Sequence, residues 1–192
     1  MAKIVLSSCD FRNAESAKCI YDNLPRPINE CRVLYFPNEK ANEEHIKSDK
    51  FYARLSEFGF VKTNIYVFNY FSPSDFNVNT EIDVIYISGG NTFGTMKRIR
   101  ESGADKIILD YVSGGVMYVG GSAGAHIATR SIEHVSKYDT ETYGLTDFAG
   151  LNFFDGILIC HYSATREDHY KRLVEKGETN VICLRDQDFI VV

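Results

Sequence analysis

Long apolar runs are missing from this 192-residue chain. None approaches the ~18 consecutive apolar residues of a membrane-spanning helix. The amino terminus, Met-Ala-Lys-Ile-Val-Leu-Ser-Ser-Cys, has one lysine and then a short apolar stretch, too little for the hydrophobic region of a secretory signal. Leu6-Ser7-Ser8-Cys9 has the outline of a lipoprotein cleavage box but lacks that region as well. Cysteine is scarce and scattered, at Cys9, Cys19, Cys31, Cys160 and Cys183, with no C-x-x-C pair. An odd, unpaired set argues against a disulfide framework or a zinc site and fits reduced thiols in the cytoplasm, so no metal is expected. Four prolines leave no room for a Pro-rich linker. Positive charge is not in excess: 21 Lys and Arg against 26 Asp and Glu give a net charge of −5. That balance argues against nucleic-acid or membrane partners. There is no internal repeat, and neither a P-loop nor a G-x-G-x-x-G fingerprint, so no cofactor is expected.

A hydrophobic content of 44% and a charged content of 24% are those of an ordinary globular protein. At ~150 residues per domain, residues 1–192 read as one domain. Short apolar runs recur at Ile4-Val5-Leu6, Val33–Phe36, Ile65–Phe68, Val84–Ile87, Val116–Val119 and Ile157–Cys160. Near-continuous runs of this kind suit parallel strands buried on both faces. Helix-like stretches separate them: Ala14–Leu24, Glu43–Phe58, Thr92–Glu101, Asp105–Val112, a helix from Ala123, and Glu167–Lys176. The alternation predicts an α/β fold with an open parallel sheet, whose ligands bind beyond the carboxyl ends of the strands. Asn69–Thr80 reads as a surface loop. The closing run Phe189–Val192 reads as a short edge strand or a strand cut short.

Two strand-to-helix junctions carry the chemistry. Val116–Val119 leads into Gly120-Gly121-Ser122-Ala123-Gly124, a G-x-S-x-G pattern. A nucleophile elbow needs small neighbours because the serine sits on a strained turn between strand and helix. Ile87-Ser88-Gly89-Gly90-Asn91-Thr92-Phe93 is the second junction, and its loop can offer a second oxyanion donor beside that of the elbow. Of the five histidines, His161 follows the run Ile157–Cys160 and stands at a strand end. His126, one turn past Ser122, is the second choice of base, and His45 and His169, on predicted helices, read as solvated or capping groups. An orienting carboxylate is sought between Ser122 and His161, among Glu133, Asp139, Glu141 and Asp147.

These segments together resemble the serine peptidases of the dipeptidase E and cyanophycinase family, S51. The resemblance runs from the strand ending in Phe36-Pro37-Asn38 through Gly89-Gly90-Asn91-Thr92-Phe93 and Ser122-Ala123-Gly124-Ala125 to Gly150–Phe154, His161 and Thr165-Arg166-Glu167. It implies a flavodoxin-like, three-layer sheet related to class I glutamine amidotransferases. It also implies Ser122 as nucleophile, His161 as base and Asp139 as acid, with Glu133 and Glu141 still open. The backbone N–H groups of Gly90 and Ala123 would form the oxyanion hole. Arg166 and Asn91 would contact a small peptide substrate, Arg166 through an acidic N-terminal residue. Two departures stand out: His126 replaces a small polar residue, and the chain ends early relative to members with a full C-terminal hairpin. A small esterase and a catalytically silent binding protein are the competing functions.

Overall fold

The apolar runs become the middle of a sheet. The computed structural model describes residues 2–192. Its first five strands are β1 (Ile4–Ser7), β2 (Val33–Phe36), β3 (Ile65–Val67), β4 (Val84–Ile87) and β5 (Met117–Gly121). β1, β2, β4 and β5 are buried at every position, as strands covered on both faces must be. Three shorter strands follow: β6 (Ile157–Ile159), β7 (Val181–Cys183) and β8 (Phe189–Val191). The helices are α1 (Ala14–Asn23), α2 (Glu43–Lys47), α3 (Lys50–Glu57), α4 (Thr92–Glu101), α5 (Ala104–Ser113), α6 (Ala123–Ile127) and α7 (Glu167–Glu175).

The main sheet has the order β3-β2-β4-β5-β1-β8. Counting β2 to β5 as strands one to four, with β1 in fifth place, reproduces the 2-1-3-4-5 order of flavodoxin. The α/β class expected from the sequence is therefore observed, with two corrections. The sheet is mixed, because β8 runs antiparallel to β1 as a half-exposed edge strand. The run before His161 does not join this sheet: β6 pairs only with β7, in parallel, in a separate two-stranded sheet. Alternate residues of β6 serve two cores. Leu158 and Cys160 pack into the main one, while Ile157 and Ile159 form a small cluster with Leu173 of α7. The stretch 43–58 is likewise two helices, because Ser48 takes an extended conformation between α2 and α3.

Register sets where the loops emerge. Ser7 lies opposite Gly121, and Ile87 opposite Gly120, so β1, β4 and β5 end at one level. In the small sheet Ile159 lies opposite Cys183, and the segments holding His161 and Asp186 leave together. Ser122 and the Gly89–Gly90 loop thus leave carboxyl strand ends of the main sheet, and His161 and Asp186 those of the small one.

Candidate active site

Ser122 stands between β5 and α6 with φ 49° and ψ −104°, a conformation that a side chain rarely takes. Such strain, of order 1–3 kcal/mol, persists only where the surroundings dictate it. Here they do. A Cβ on Gly121 would lie 2.2 Å from the Asp10 carboxylate, and one on Gly124 would lie 2.0 Å from the Ile87 carbonyl. Only glycine lets β5, β4 and the turn after β1 approach so closely. The Ser122 N–H donates to the Ser7 carbonyl at 2.9 Å, and its own carbonyl accepts from His126 N–H at 3.0 Å. The side chain, at the apex, is left to face outward.

It faces His161. Nε2 of that ring lies 3.0 Å from Ser122 Oγ, and Nδ1 lies 2.6 Å from Oδ1 of Asp186. An ionised carboxylate can only accept, so Nδ1 carries the proton and Nε2 turns its lone pair to the serine. The contact with His161 holds the Asp186 carboxyl below the usual carboxylate range. Ser8 fixes this arrangement from beneath. Its hydroxyl accepts from His161 N–H at 2.9 Å and donates to the Leu184 carbonyl at 2.9 Å, joining the end of β1 to the segments after β6 and β7. His161 itself sits at φ 52°, a second non-glycine residue in the left-handed region.

Asp186, the carboxylate on His161, lies beyond the stretch between Ser122 and His161 in which an orienting acid was expected. It follows β7, a three-residue, half-buried strand that does not stand out in the sequence. Asp139, the expected acid, lies elsewhere: Oδ2 accepts from Thr92 N–H at 2.7 Å, at the first turn of α4. Glu141 accepts from Tyr143 N–H and Asp147 from Ala149 N–H, while Glu133 is exposed. None of the four reaches His161, whose Nδ1 has room for one acceptor.

The Gly89–Gly90 loop abuts the elbow. A Cβ on Gly89 would come within 3.4 Å of Ser122 Cβ, and one on Gly90 would strike Asn38 and Glu39, each at 2.6 Å. Buried Glu39 accepts from Asn91 N–H at 2.9 Å and so sets the peptide that follows Gly90. Asn91 is absorbed by the scaffold. Its Oδ1 caps α4 through Gly94 N–H at 2.8 Å, and its Nδ2 donates to the Glu141 carbonyl at 3.0 Å. Ala123 is the first residue of α6, so its N–H has no acceptor within the helix.

His126, the alternative base, is buried and points away. Nδ1 lies 3.4 Å from Thr92 Oγ1, and Nε2 accepts from Cys160 N–H at 3.5 Å. Burial holds it neutral, with its pKa well below the ordinary histidine value. It is a joint between α6, α4 and the end of β6. The Arg166 guanidinium lies over the Tyr138 ring at 3.9 Å and donates through Nη1 to the Cys160 carbonyl. A different cation flanks the serine. Arg12, held by Asp10 through Nε at 2.9 Å and Nη2 at 3.0 Å, comes within 3.2 Å of the point that a Gly89 Cβ would occupy.

The chain is similar to known peptidases. It shares 35% identity over 96 residues with an uncharacterized peptidase of Listeria monocytogenes, covering 49% of this chain and 45% of that one. It shares 31% over 118 residues with peptidase E of Salmonella typhi, covering 57% and 52%. The matched chain thus spans about half the length of these curated relatives. The fold is that of a candidate peptidase E from Listeria monocytogenes, with a TM-score of 0.72 at 21% identity over 100% of this chain and 94% of that one. The sequence model of peptidase family S51 matches residues 4–192, and the chain belongs to that family.

Proposed function

We propose that the protein is a serine-type peptidase acting on short peptides. One observation carries the reading: a serine at positive φ, its Oγ 3.0 Å from a histidine whose other nitrogen is 2.6 Å from a carboxylate. In this reading Ser122 Oγ attacks the scissile carbonyl while His161 Nε2 takes its proton. Asp186 stabilises the imidazolium and keeps the ring in the productive tautomer. The N–H groups of Gly90 and Ala123 receive the oxyanion. The ring then returns the proton to the leaving amine, and water repeats the sequence on the acyl-enzyme. The Gly89–Gly90 loop beside Ser122 favours this over the esterase reading, as does family membership. Peptidase E relatives, the Arg12 guanidinium beside the serine and Arg166 on the Cys160 carbonyl next to His161 support a preference for an acidic N-terminal residue. Five free cysteines fit a reducing compartment such as the cytoplasm.

A fluorophosphonate probe should label wild-type protein at Ser122 and leave Ser122→Ala unlabelled. No label on the folded wild type would favour a silent binding protein. A dipeptide panel then reads specificity. Replacing the recognising arginine by methionine removes a charge-assisted pair of about 2 kcal/mol, so kcat/KM for Asp-X substrates should fall about 30-fold against Ala-X. Arg166→Met and Arg12→Met each test one guanidinium, and equal losses on both substrates would make either arginine structural.

A further inference from the structure

Cys9 has no part in that mechanism, yet it lies against it. Its Sγ, a ring nitrogen of His161 and a carboxylate oxygen of Asp186 all lie within 4.8 Å of one another, and Nδ1 is the ring nitrogen on Asp186. We propose that these three side chains form a site for a thiophilic divalent cation of the Zn²⁺ class, and that its occupancy switches the serine centre off. The inhibitory part of this proposal rests on the reading of Ser122 and His161 as the catalytic pair.

The donors suit such an ion. Zinc takes thiolate sulfur at ~2.3 Å and imidazole nitrogen or carboxylate oxygen at ~2.0–2.2 Å, tetrahedrally, often with water in the fourth place. One soft and two borderline or hard donors favour zinc over magnesium or calcium. Cys9 and His161 sit on a common frame. Cys9 directly follows Ser8, whose hydroxyl ties the His161 and Leu184 backbones together. The Cys9 carbonyl is itself held by Arg12 N–H at 3.0 Å. The 2.6 Å contact between His161 and Asp186 is tighter than two ligands of one ion stand. Asp186 is 65% exposed in the turn closed by Arg185 N–H on Asp188, so its carboxylate has room to open.

The inhibition follows from proton bookkeeping. In the active arrangement the neutral imidazole carries its proton on Nδ1 and offers the Nε2 lone pair to Ser122. A cation on Nδ1 takes that nitrogen's lone pair, so the ring proton moves to Nε2, while Cys9 releases its thiol proton to solvent. Nε2–H then faces Ser122 Oγ, and the base has no lone pair with which to accept the hydroxyl proton. The charge of Asp186 is spent on the ion at the same time. The serine and the oxyanion donors are untouched, so inhibition falls on kcat and on the reactivity of Ser122.

Two readouts separate the metal site from the peptidase reading. In the first, Co²⁺ is titrated into the full-length protein and thiolate-to-cobalt charge transfer is followed in the near ultraviolet. Wild type should develop the band at one equivalent, and Cys9→Ala should not, although its other four cysteines remain. In the second, fluorophosphonate labelling of Ser122 is timed against Zn²⁺, each protein being referred to its own metal-free rate. Zinc should slow labelling of wild type at least 10-fold, and Cys9→Ala should need about 10–100-fold more zinc for the same effect, the range seen when support of a metal site is lost. Cys9→Ser provides the same test should the alanine variant not fold. No cobalt band in the wild type, or equal zinc sensitivity with and without the thiol, would overturn the proposal. Failure of Ser122 to label in metal-free protein would overturn the catalytic reading, and with it the inhibitory role, while the cobalt band still decides whether the metal binds.

Discussion

Ser122 and the Gly89–Gly90 loop hang from the buried centre of a six-stranded sheet, whereas His161 and Asp186 hang from a two-stranded sheet at its side. On the nucleophile half, β4 and β5 are buried throughout, and the Asp10 side chain and the Ile87 carbonyl close in on the glycines that flank the serine at its positive φ. On the base half, β7 is only half-buried and Asp186 lies in an exposed turn. Leu158 and Cys160 anchor that half in the main core, while one hydroxyl, Ser8, and one buried ring, His126, hold the segment at His161. Ser122 is therefore positioned by the core, and the His161–Asp186 pair by less packing and a few hydrogen bonds. The two halves should answer differently to mutation.

The largest effect belongs to the nucleophile half. Ser122→Ala should lower kcat by ~10⁴–10⁶ with no fall in melting temperature, since the side chain serves chemistry and not the core. Next, Asp186→Asn should cost ~10⁴ in kcat through loss of the productive tautomer. Asp139→Asn should cost less than ~10-fold in kcat but destabilise α4 by about 1 kcal/mol, as loss of a cap does. The reverse ranking, read by steady-state kinetics and urea unfolding, would return the acid's role to Asp139. Ser8→Ala should come third. It leaves the His161 N–H and Leu184 carbonyl without partners, costing ~1–3 kcal/mol of stability for a buried group left unsatisfied. The misplaced ring should slow turnover by ~10–100-fold, because a small displacement remote from the chemistry is enough. A Ser8 variant of normal activity would mean that the base half does not depend on this hydroxyl.

The smallest effect tests the joint between the halves. His126 and His134 are held neutral by burial, with His134 pushed down to about 3. Both ring nitrogens of His134 are buried without a partner. In the unfolded chain a histidine takes its proton at ~6.5, so between that pH and the folded value the unfolded state binds more protons. Stability should then rise with pH across this window, and fall on acidification by at most ~1.4 kcal/mol per pH unit for each histidine. Urea midpoints at pH 7 and pH 5 measure the slope, and His134→Gln should remove about one histidine's share. An unchanged slope would mean that His134 stays accessible to protons in the folded state.

The same contrast decided what the sequence could tell. Ser122 was legible because an apolar strand, small residues and a helix start must coincide to make the turn, and each leaves its own mark. Thr92–Glu101 was legible to the residue, bounded by the Asn91 cap and Ser102. His161 was legible from its place after an apolar run, although the run could not say which sheet it joins. Val181–Cys183 is too short and too exposed to announce a strand, so Asp186 after it had no context. The role of Asn91 was hidden for another reason: a cap and a ligand contact call for the same side chain. Ser8 gave no sign of its function, since both its partners lie more than 150 residues away.

That last separation bears on when the protein can become active. β1 is made first, but its neighbours in the sheet are β5 and β8. Ser8 meets Leu184 across 176 positions of chain. A growing polypeptide, emerging at ~5–20 residues per second, thus displays Ser122 and His161 before Asp186 exists to orient the base. The nucleophile alone is an ordinary alcohol. On the proposed reading, the oriented base is complete only once Asp186 has been made. A chain stopped after Asn180 should react with a fluorophosphonate no faster than a free serine does. β1, made early, thus gains its antiparallel neighbour only after Phe189–Val191 has been made.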